Sequence, residues 1–67
     1  MRTEFDKEAD AAYVYFKEIG AGEVAETISL NESINVDRDK NGKVLGIEIL
    51  DVSKNLPSSS VKSLASN

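Results

Sequence analysis

The stretch DRDKNGKVLGIE, residues 37–48, fits the sequence patterns of two incompatible structures, and the choice between them decides the fold. One is a calcium-binding loop, whose pattern requires acidic or amide side chains, a glycine and a final glutamate at fixed positions. The residues that fill these positions are Asp37, Asp39, Asn41, Gly42 and Glu48. The other is a β-hairpin that turns at Asn41-Gly42, a pair that tolerates the positive φ of a tight turn.

The segments on either side of this stretch favour the hairpin. A calcium-binding loop of this kind lies between two helices. The preceding segment TISLNESIN (27–35) has no helical stripe of apolar residues, and the following segment IEILDVS (47–53) alternates with the period of two that is typical of a strand. Gly46 would also weaken a helix that begins near Glu48. The sequence therefore predicts two strands joined by a turn.

The register of this hairpin follows from the positions of its apolar residues. A two-residue loop would pair Val36 with Ile47 and Ile34 with Ile49, which gathers four apolar side chains on one face. A four-residue loop would pair Val36 with Leu45 and would also keep the faces apart. An odd-length loop would mix apolar and polar faces, so we expect an even one.

Most of the remaining chain is also strand-like. The predicted strands cover residues 2–6, 11–17, 24–30, 34–37 and 43–53. The fold class is therefore mainly β: a small antiparallel β-meander of four or five strands, with a short C-terminal helix or a loose tail. Residues 1–56 are expected to form a single β-rich domain, and residues 57–67 the tail or short helix.

The segment AAYVYFK, residues 11–17, allows both a strand and a helix. Its unbroken run of bulky residues from Tyr13 to Phe16 favours a central strand covered on both sides. An amphipathic helix that begins after Asp6 and ends at Gly20 is the alternative, because apolar residues also recur here at helical spacing.

The tail changes character after Leu56, where one proline and three consecutive serines interrupt the strand pattern. Ser58 or Ser59 is a candidate cap for a short helix that carries Val61 and Leu64 on one side. A frayed end is the alternative for this segment.

The small size of the chain favours association with a second copy of the same chain. A domain of 67 residues has a small core, and the chain has no cysteine that could add a disulfide. Oligomerisation is a common way for so small a domain to gain stability. We therefore expect a homodimer.

The charge of the chain limits its partners. Twelve acidic against eight basic side chains give a net charge of −4, which argues against binding to nucleic acid and is compatible with a basic protein partner. No stretch has the roughly 20 apolar residues that cross a bilayer, and the N-terminus lacks the apolar core of a signal peptide. We expect a cytoplasmic protein without a membrane contact.

The side-chain chemistry favours a non-enzymatic role. The chain has no His and no Cys, so the usual general base and thiolate nucleophile are missing. No catalytic, cofactor-binding or metal-binding residue and no cofactor is therefore predicted. The alternative is a small carboxylate-based metal-binding or enzymatic unit that uses Asp37, Asp39 and Glu48, or the pair Glu8 and Asp10. In a turn, such acidic residues more often accept backbone hydrogen bonds.

The four aromatic residues could have a role in binding or in core packing. Phe5, Tyr13, Tyr15 and Phe16 could form a stacking platform for nucleotide bases, but such platforms lie in basic grooves and this chain is acidic. We expect these side chains to pack in the core.

Two segments resemble a known family. FDKEADAAYVYF (5–16) is similar to the YD-x-EADALYI opening, and INVDRDKNGKVLGIEILDVSK (34–54) to the N-V-D-x-D-x-x-G-x-V-x-GIEIL-x-AS segment, of the small proteins grouped as domain of unknown function 2283. The departures are Phe5 for Tyr, Ala12 for Leu and Val52 for Ala.

The resemblance implies a compact β-rich unit without an assigned activity or cofactor. Some members are thought to be encoded beside small toxin-like proteins. The resemblance therefore also implies an antitoxin-like role as the partner of a neighbouring toxin.

Overall fold

The computed structural model describes residues 1–66 and arranges them as one antiparallel sheet with two helices. The elements are β1 (Arg2–Asp6), β2 (Ala11–Tyr15), β3 (Glu26–Ser29), β4 (Ile34–Arg38), β5 (Val44–Ile49), α1 (Val52–Asn55) and α2 (Ser58–Ala65). The strand order is β1-β2-β5-β4-β3, and every neighbouring pair is antiparallel. The prediction of a mainly β fold of antiparallel strands with a short C-terminal helix is confirmed. The sheet is not a simple meander, because β3 lies at the far edge and the chain returns through β4 to β5, which pairs with β2.

Residues 11–15 form a strand and not the alternative helix. The turn before them is held by Asp6, whose Oδ1 accepts the backbone N–H groups of Glu8 (3.0 Å) and Ala9 (3.1 Å). Asp10 then adopts a left-handed backbone with φ of 53°, which reverses the chain into β2. The strand ends at Tyr15, two residues earlier than predicted.

The hairpin between β4 and β5 has the predicted pairing but not the predicted loop. Ile34 pairs with Ile49 and Val36 with Ile47, as a two-residue loop would require. The loop nevertheless has three residues, 40–42, because Asp39 N–H donates to the Lys43 carbonyl at 2.9 Å. The expectation that odd-length loops fail is therefore wrong.

A β-bulge reconciles the odd loop with the register. Gly46 pairs with Asp37 and Val44 pairs with Arg38, so Leu45 is an extra residue on β5. The turn itself is closed by Gly42, whose N–H donates to the Asp39 carbonyl at 3.0 Å and whose φ is 80°. The bulge absorbs the residue that would otherwise have turned the apolar side chains to the wrong face.

Two other predicted strands are shorter in the structure. β3 covers Glu26–Ser29 within the predicted 24–30, and β5 ends at Ile49 within the predicted 43–53. The chain turns at Asp51, which has a left-handed φ of 49°, and continues as α1. This helical turn was not predicted. Its first residue, Val52, is fully buried.

Helix α2 follows Pro57, which occupies the cap position predicted for Ser58 or Ser59. Proline is well suited to a helix start because its missing N–H would be unpaired there. The helix packs against β1 and α1. Its Leu64 lines a groove with Ala12, Val14 and Ile49 of the sheet.

The sheet therefore has two unlike faces. We call the one under the helices the helix-side face; its apolar members include Phe5, Ala12, Val14, Ile28, Ile34, Val36, Ile47 and Ile49, and it also carries Thr3, Glu26 and Arg38. The opposite face, to which neither helix packs, we call the open face. The prediction that β2 is covered on both sides is wrong, because both helices lie on one side. The buried apolar residues are Ala12, Leu45 and Val52.

Candidate functional site

The open face is built from two rows of side chains that run across the strands. Alternate residues of a strand point to the same face, so the registers fix the members of each row. The first row contains Arg2, Tyr15, Gly46, Asp37 and Thr27, and the second contains Glu4, Tyr13, Glu48, Asn35 and Ser29. Only Gly46 lacks a polar group in its side chain.

Tyr13 crosses the sheet through the gap at Gly46. Its ring lies over the glycine so closely that a Cβ added at position 46 would overlap Cε1, Cζ and Oη of the ring. The phenol reaches beyond β5 and donates a hydrogen bond to Asp37 Oδ2 on β4. The hydrogen bond between Tyr13 of β2 and Asp37 of β4 therefore requires glycine at position 46.

Asp37 is the centre of this network. Its second oxygen, Oδ1, accepts a hydrogen bond from the Thr27 hydroxyl on β3. Burial raises the pKa of Tyr13, and the hydrogen bond to Asp37 raises it further. The phenol therefore stays protonated at neutral pH and acts as a donor.

A second network runs along the other row. Asn35 Nδ2 donates to Glu48 Oε1 at 3.0 Å, and the hydroxyl of Ser29 donates to Asn35 Oδ1. These bonds fix the amide orientation of Asn35 and hold Glu48 against the sheet. Cross-strand polar pairs of this kind stabilise a sheet modestly and order its surface.

The β1 side of the open face is held by Arg2. Its guanidinium lies 3.9 Å from the centroid of the Tyr15 ring and donates from Nε to Glu18 at 2.8 Å. The Tyr15 hydroxyl donates to Glu4 at 2.7 Å. This bond, together with Arg2, lowers the pKa of Glu4, and the same bond raises the pKa of Tyr15. The rings of Tyr13 and Tyr15 are 4.6 Å apart.

The charge of this face is negative. The two rows carry the carboxylates of Glu4, Asp37 and Glu48 against the single guanidinium of Arg2. Glu4 and Glu18 form ion pairs with Arg2, whereas Asp37 and Glu48 are held by the neutral side chains of Tyr13 and Asn35. The arrangement offers oriented acceptors and two aromatic rings, which are groups that bind cationic side chains.

The three carboxylates of the calcium pattern do not converge. Asp37 and Glu48 lie on the open face, whereas Asp39 lies in the hairpin turn. Asp39 Oδ1 accepts the N–H groups of Asn41 and Lys43, both at 2.9 Å. Within residues 1–66, no group of three or more potential ligands could hold a metal ion.

Glu8 and Asp10 have separate positions as well. Asp10 accepts a hydrogen bond from the Ser53 hydroxyl (2.9 Å) and from its N–H (3.1 Å), and its carbonyl accepts the N–H of Val52 at 2.9 Å. It therefore ties the β1–β2 turn to the start of α1. Glu8 is exposed in that turn.

The four aromatic residues do not form one platform. Tyr13 and Tyr15 lie half-buried on the open face, Phe5 lies on the helix-side face, and Phe16 is 42% exposed beyond β2. The expectation that the tyrosines pack in the core is wrong. The signal was present in the sequence, because Val14 separates them and a strand places them together on the face opposite Val14.

Within residues 1–66, no helix is long and apolar enough to span a bilayer. In comparisons with known proteins, a family model described as "Protein of unknown function (DUF2283)" matches residues 2–53. No curated protein and no solved structure matches the chain.

Proposed function

Because the chain belongs to the DUF2283 family of proteins of unknown function, we propose a function from its geometry: it is a non-enzymatic interaction module whose open face binds a basic protein. The observation that carries this proposal is the excess of carboxylates in the two rows of the open face, where Glu4, Asp37 and Glu48 stand against one guanidinium, beside a pair of tyrosine rings. Attraction between such a face and a basic partner accelerates encounter and fixes orientation.

The open face is suited to arginine and lysine side chains. Asp37 and Glu48 are already held by hydrogen bonds to Tyr13 and Asn35, so a partner would not have to order them. Preorganised groups of this kind lose less conformational entropy on binding. The Tyr15 ring shows within the chain how a guanidinium binds to this face, since Arg2 stacks on it.

The choice of a non-enzymatic role is supported by the chemistry of the chain. The complete sequence has no His or Cys. Tyr13, the titratable group most enclosed by the open face, has a raised pKa, which makes its phenol a poor nucleophile at neutral pH.

The partner that fits this face best is a small basic toxin-like protein encoded beside the chain, with both acting in the cytoplasm. This assignment is supported by the charge of the open face and by the net charge of −4. An acidic face that covers a basic active surface would inhibit the partner by occupying it.

The test is complex formation with the product of the neighbouring reading frame, measured by calorimetry after co-expression. We expect binding that weakens as salt increases, because it depends on charge. Asp37→Asn with Glu48→Gln should weaken it by at least about tenfold, since hydrogen bonds to charged groups contribute about 1.5 to 3 kcal/mol.

Glu32→Gln is the control, because Glu32 is exposed in the turn between β3 and β4. This substitution removes one negative charge, as each of the two substitutions on the open face does. Its binding should stay close to that of the parent chain. The absence of a complex, or an equal loss per removed charge in the control, would contradict the proposal.

A further inference from the structure

We infer that the chain forms a two-fold symmetric homodimer through the apolar edge of its sheet, which we define as Val24, Ile28 and Leu30. The occupant of this surface is a second copy, with the two β3 strands paired antiparallel. This inference does not depend on the proposed function, which concerns the open face.

The apolar edge is exposed where the sequence pattern predicts burial. Val24, Ile28 and Leu30 share one face of the segment, with Glu26 as the exception on that face, which is the pattern of a strand that is buried on one side. In the single chain they are 39%, 36% and 66% exposed. They adjoin the helix-side face, since Ile28 pairs with Val36 and the Leu30 N–H donates to the Ile34 carbonyl at 2.8 Å.

The helices leave this part of the sheet uncovered. α2 packs against β1, at the opposite edge, and its groove reaches Val14 and Ile49. Ile34 and Val36 of β4 consequently remain only half-buried. A second copy paired at β3 would place its own Val24, Ile28 and Leu30 beside these exposed side chains.

The exposed area of the chain agrees with a missing partner. A folded monomer of 7.3 kDa is expected to expose about 4,200 Å², whereas this chain exposes 4611 Å². Stable interfaces bury at least about 600 Å² on each partner. The buried apolar residues of the single chain are few, namely Ala12, Leu45 and Val52, so additional burial would add substantially to its stability.

The charges near the apolar edge are compatible with a second copy of the chain as its partner. A two-fold axis brings like groups together, so a self-association surface must not carry net charge. On β3 and β4, the charged residues on the same side of the sheet as Ile28 are Glu26 and Arg38, which form an ion pair with each other. The open face is acidic and would repel a copy of itself.

The backbone of β3 favours the same arrangement. β3 is a terminal strand of the sheet, and no strand within residues 1–66 pairs with its outer side. The other terminal strand, β1, carries Arg2, Glu4 and Asp6 and lies beside α2, which are features that block edge-to-edge pairing. β3 has only Glu26 as a charged residue.

The test is the mass of the full chain in solution, measured by sedimentation equilibrium at micromolar concentration. We expect twice the chain mass of 7.3 kDa. Ile28→Lys with Leu30→Lys should produce a monomer whose circular dichroism still shows the sheet. Ala65→Lys is the control, because Ala65 is an exposed residue of α2 that lies near β1, and it should remain dimeric.

A second measurement covers the case in which the double variant does not fold. The chain has no cysteine, so Ile28→Cys introduces a single thiol at the centre of the proposed interface. Under mild oxidation it should form disulfide-linked dimers much faster than Ala65→Cys. A monomeric parent chain, or equal cross-linking of the two cysteine variants, would overturn the inference.

Discussion

The phenol of Tyr13 on β2 bonds to the carboxylate of Asp37 on β4, across the strand that lies between them. The contact exists because residue 46, on the intervening strand, has no side chain. The hydrogen bond between Tyr13 and Asp37 therefore requires a glycine at position 46. Substitutions of Gly46 and of Tyr13 both test this requirement.

Gly46→Ala should destabilise the chain by about 1 to 3 kcal/mol, which is the typical cost of overpacking. The added Cβ would overlap the ring of Tyr13 and force it away from Asp37. Urea unfolding measures the change. Gly20→Ala is the control, because its nearest neighbour would be 3.8 Å away. Equal stability of the two variants would show that the ring is not confined.

Tyr13→Phe should cost about 1 kcal/mol at neutral pH, because it removes one donor from Asp37. Tyr15→Phe should cost less, since the hydrogen bond of Tyr15 to Glu4 is exposed. Chemical unfolding of both variants gives the comparison. A larger loss for Tyr15→Phe would place the main polar contact of the face elsewhere.

Stability should fall as the pH rises above about 10, the usual pKa of tyrosine. The pKa of Tyr13 is raised in the folded chain, so the unfolded chain loses its proton first and is favoured at alkaline pH. The contribution of Tyr13 to the free energy of unfolding is complete below the pKa that it has in the unfolded chain. It disappears as the pH rises through the pKa that Tyr13 has in the folded chain. Unfolding measured across this range should show a weaker pH dependence in Tyr13→Phe than in the parent chain.

Asp10→Ala should destabilise the chain by about 1 to 2 kcal/mol, as the loss of a helix cap does. It removes the acceptor for Ser53, and it places at φ of 53° an alanine, which lacks the polar side chain that lets aspartate adopt the left-handed region. Glu8→Ala in the same turn is expected to change stability little, because Glu8 is exposed. Thermal unfolding compares the two variants, and similar losses would argue against the tie to α1.

Calcium should leave the melting temperature unchanged. The candidate ligands of the loop are separated, with Asp39 used to hold the turn. A ligand at 100 times its dissociation constant would add about 2.7 kcal/mol, which thermal unfolding detects readily. A clear rise with submillimolar calcium, absent in Asp37→Asn, would restore the metal-binding alternative.

The sequence by itself determined the strands and the faces of their side chains. Because a shift by one residue would move every apolar side chain to the other face, alternation limited the pairing of β4 with β5 to two registers. The structure has the one that pairs Ile34 with Ile49 and Val36 with Ile47. The same alternation separates Tyr13 and Tyr15 from Val14. Local pattern also located the turn at Asn41-Gly42, because few residues accept a positive φ.

Only the tertiary structure decided which partners these elements meet. Alternation placed Tyr13 and Tyr15 on the face opposite Val14, but it does not say which face the helices cover, so it did not decide that the tyrosines lie outside the core. The contact of Asp10 with Ser53 joins residues far apart in the chain, and the bulge at Leu45 arises only when β4 pairs with β5. Such contacts form only when the whole sheet is assembled, because their geometry is set by packing and not by neighbouring residues in the sequence.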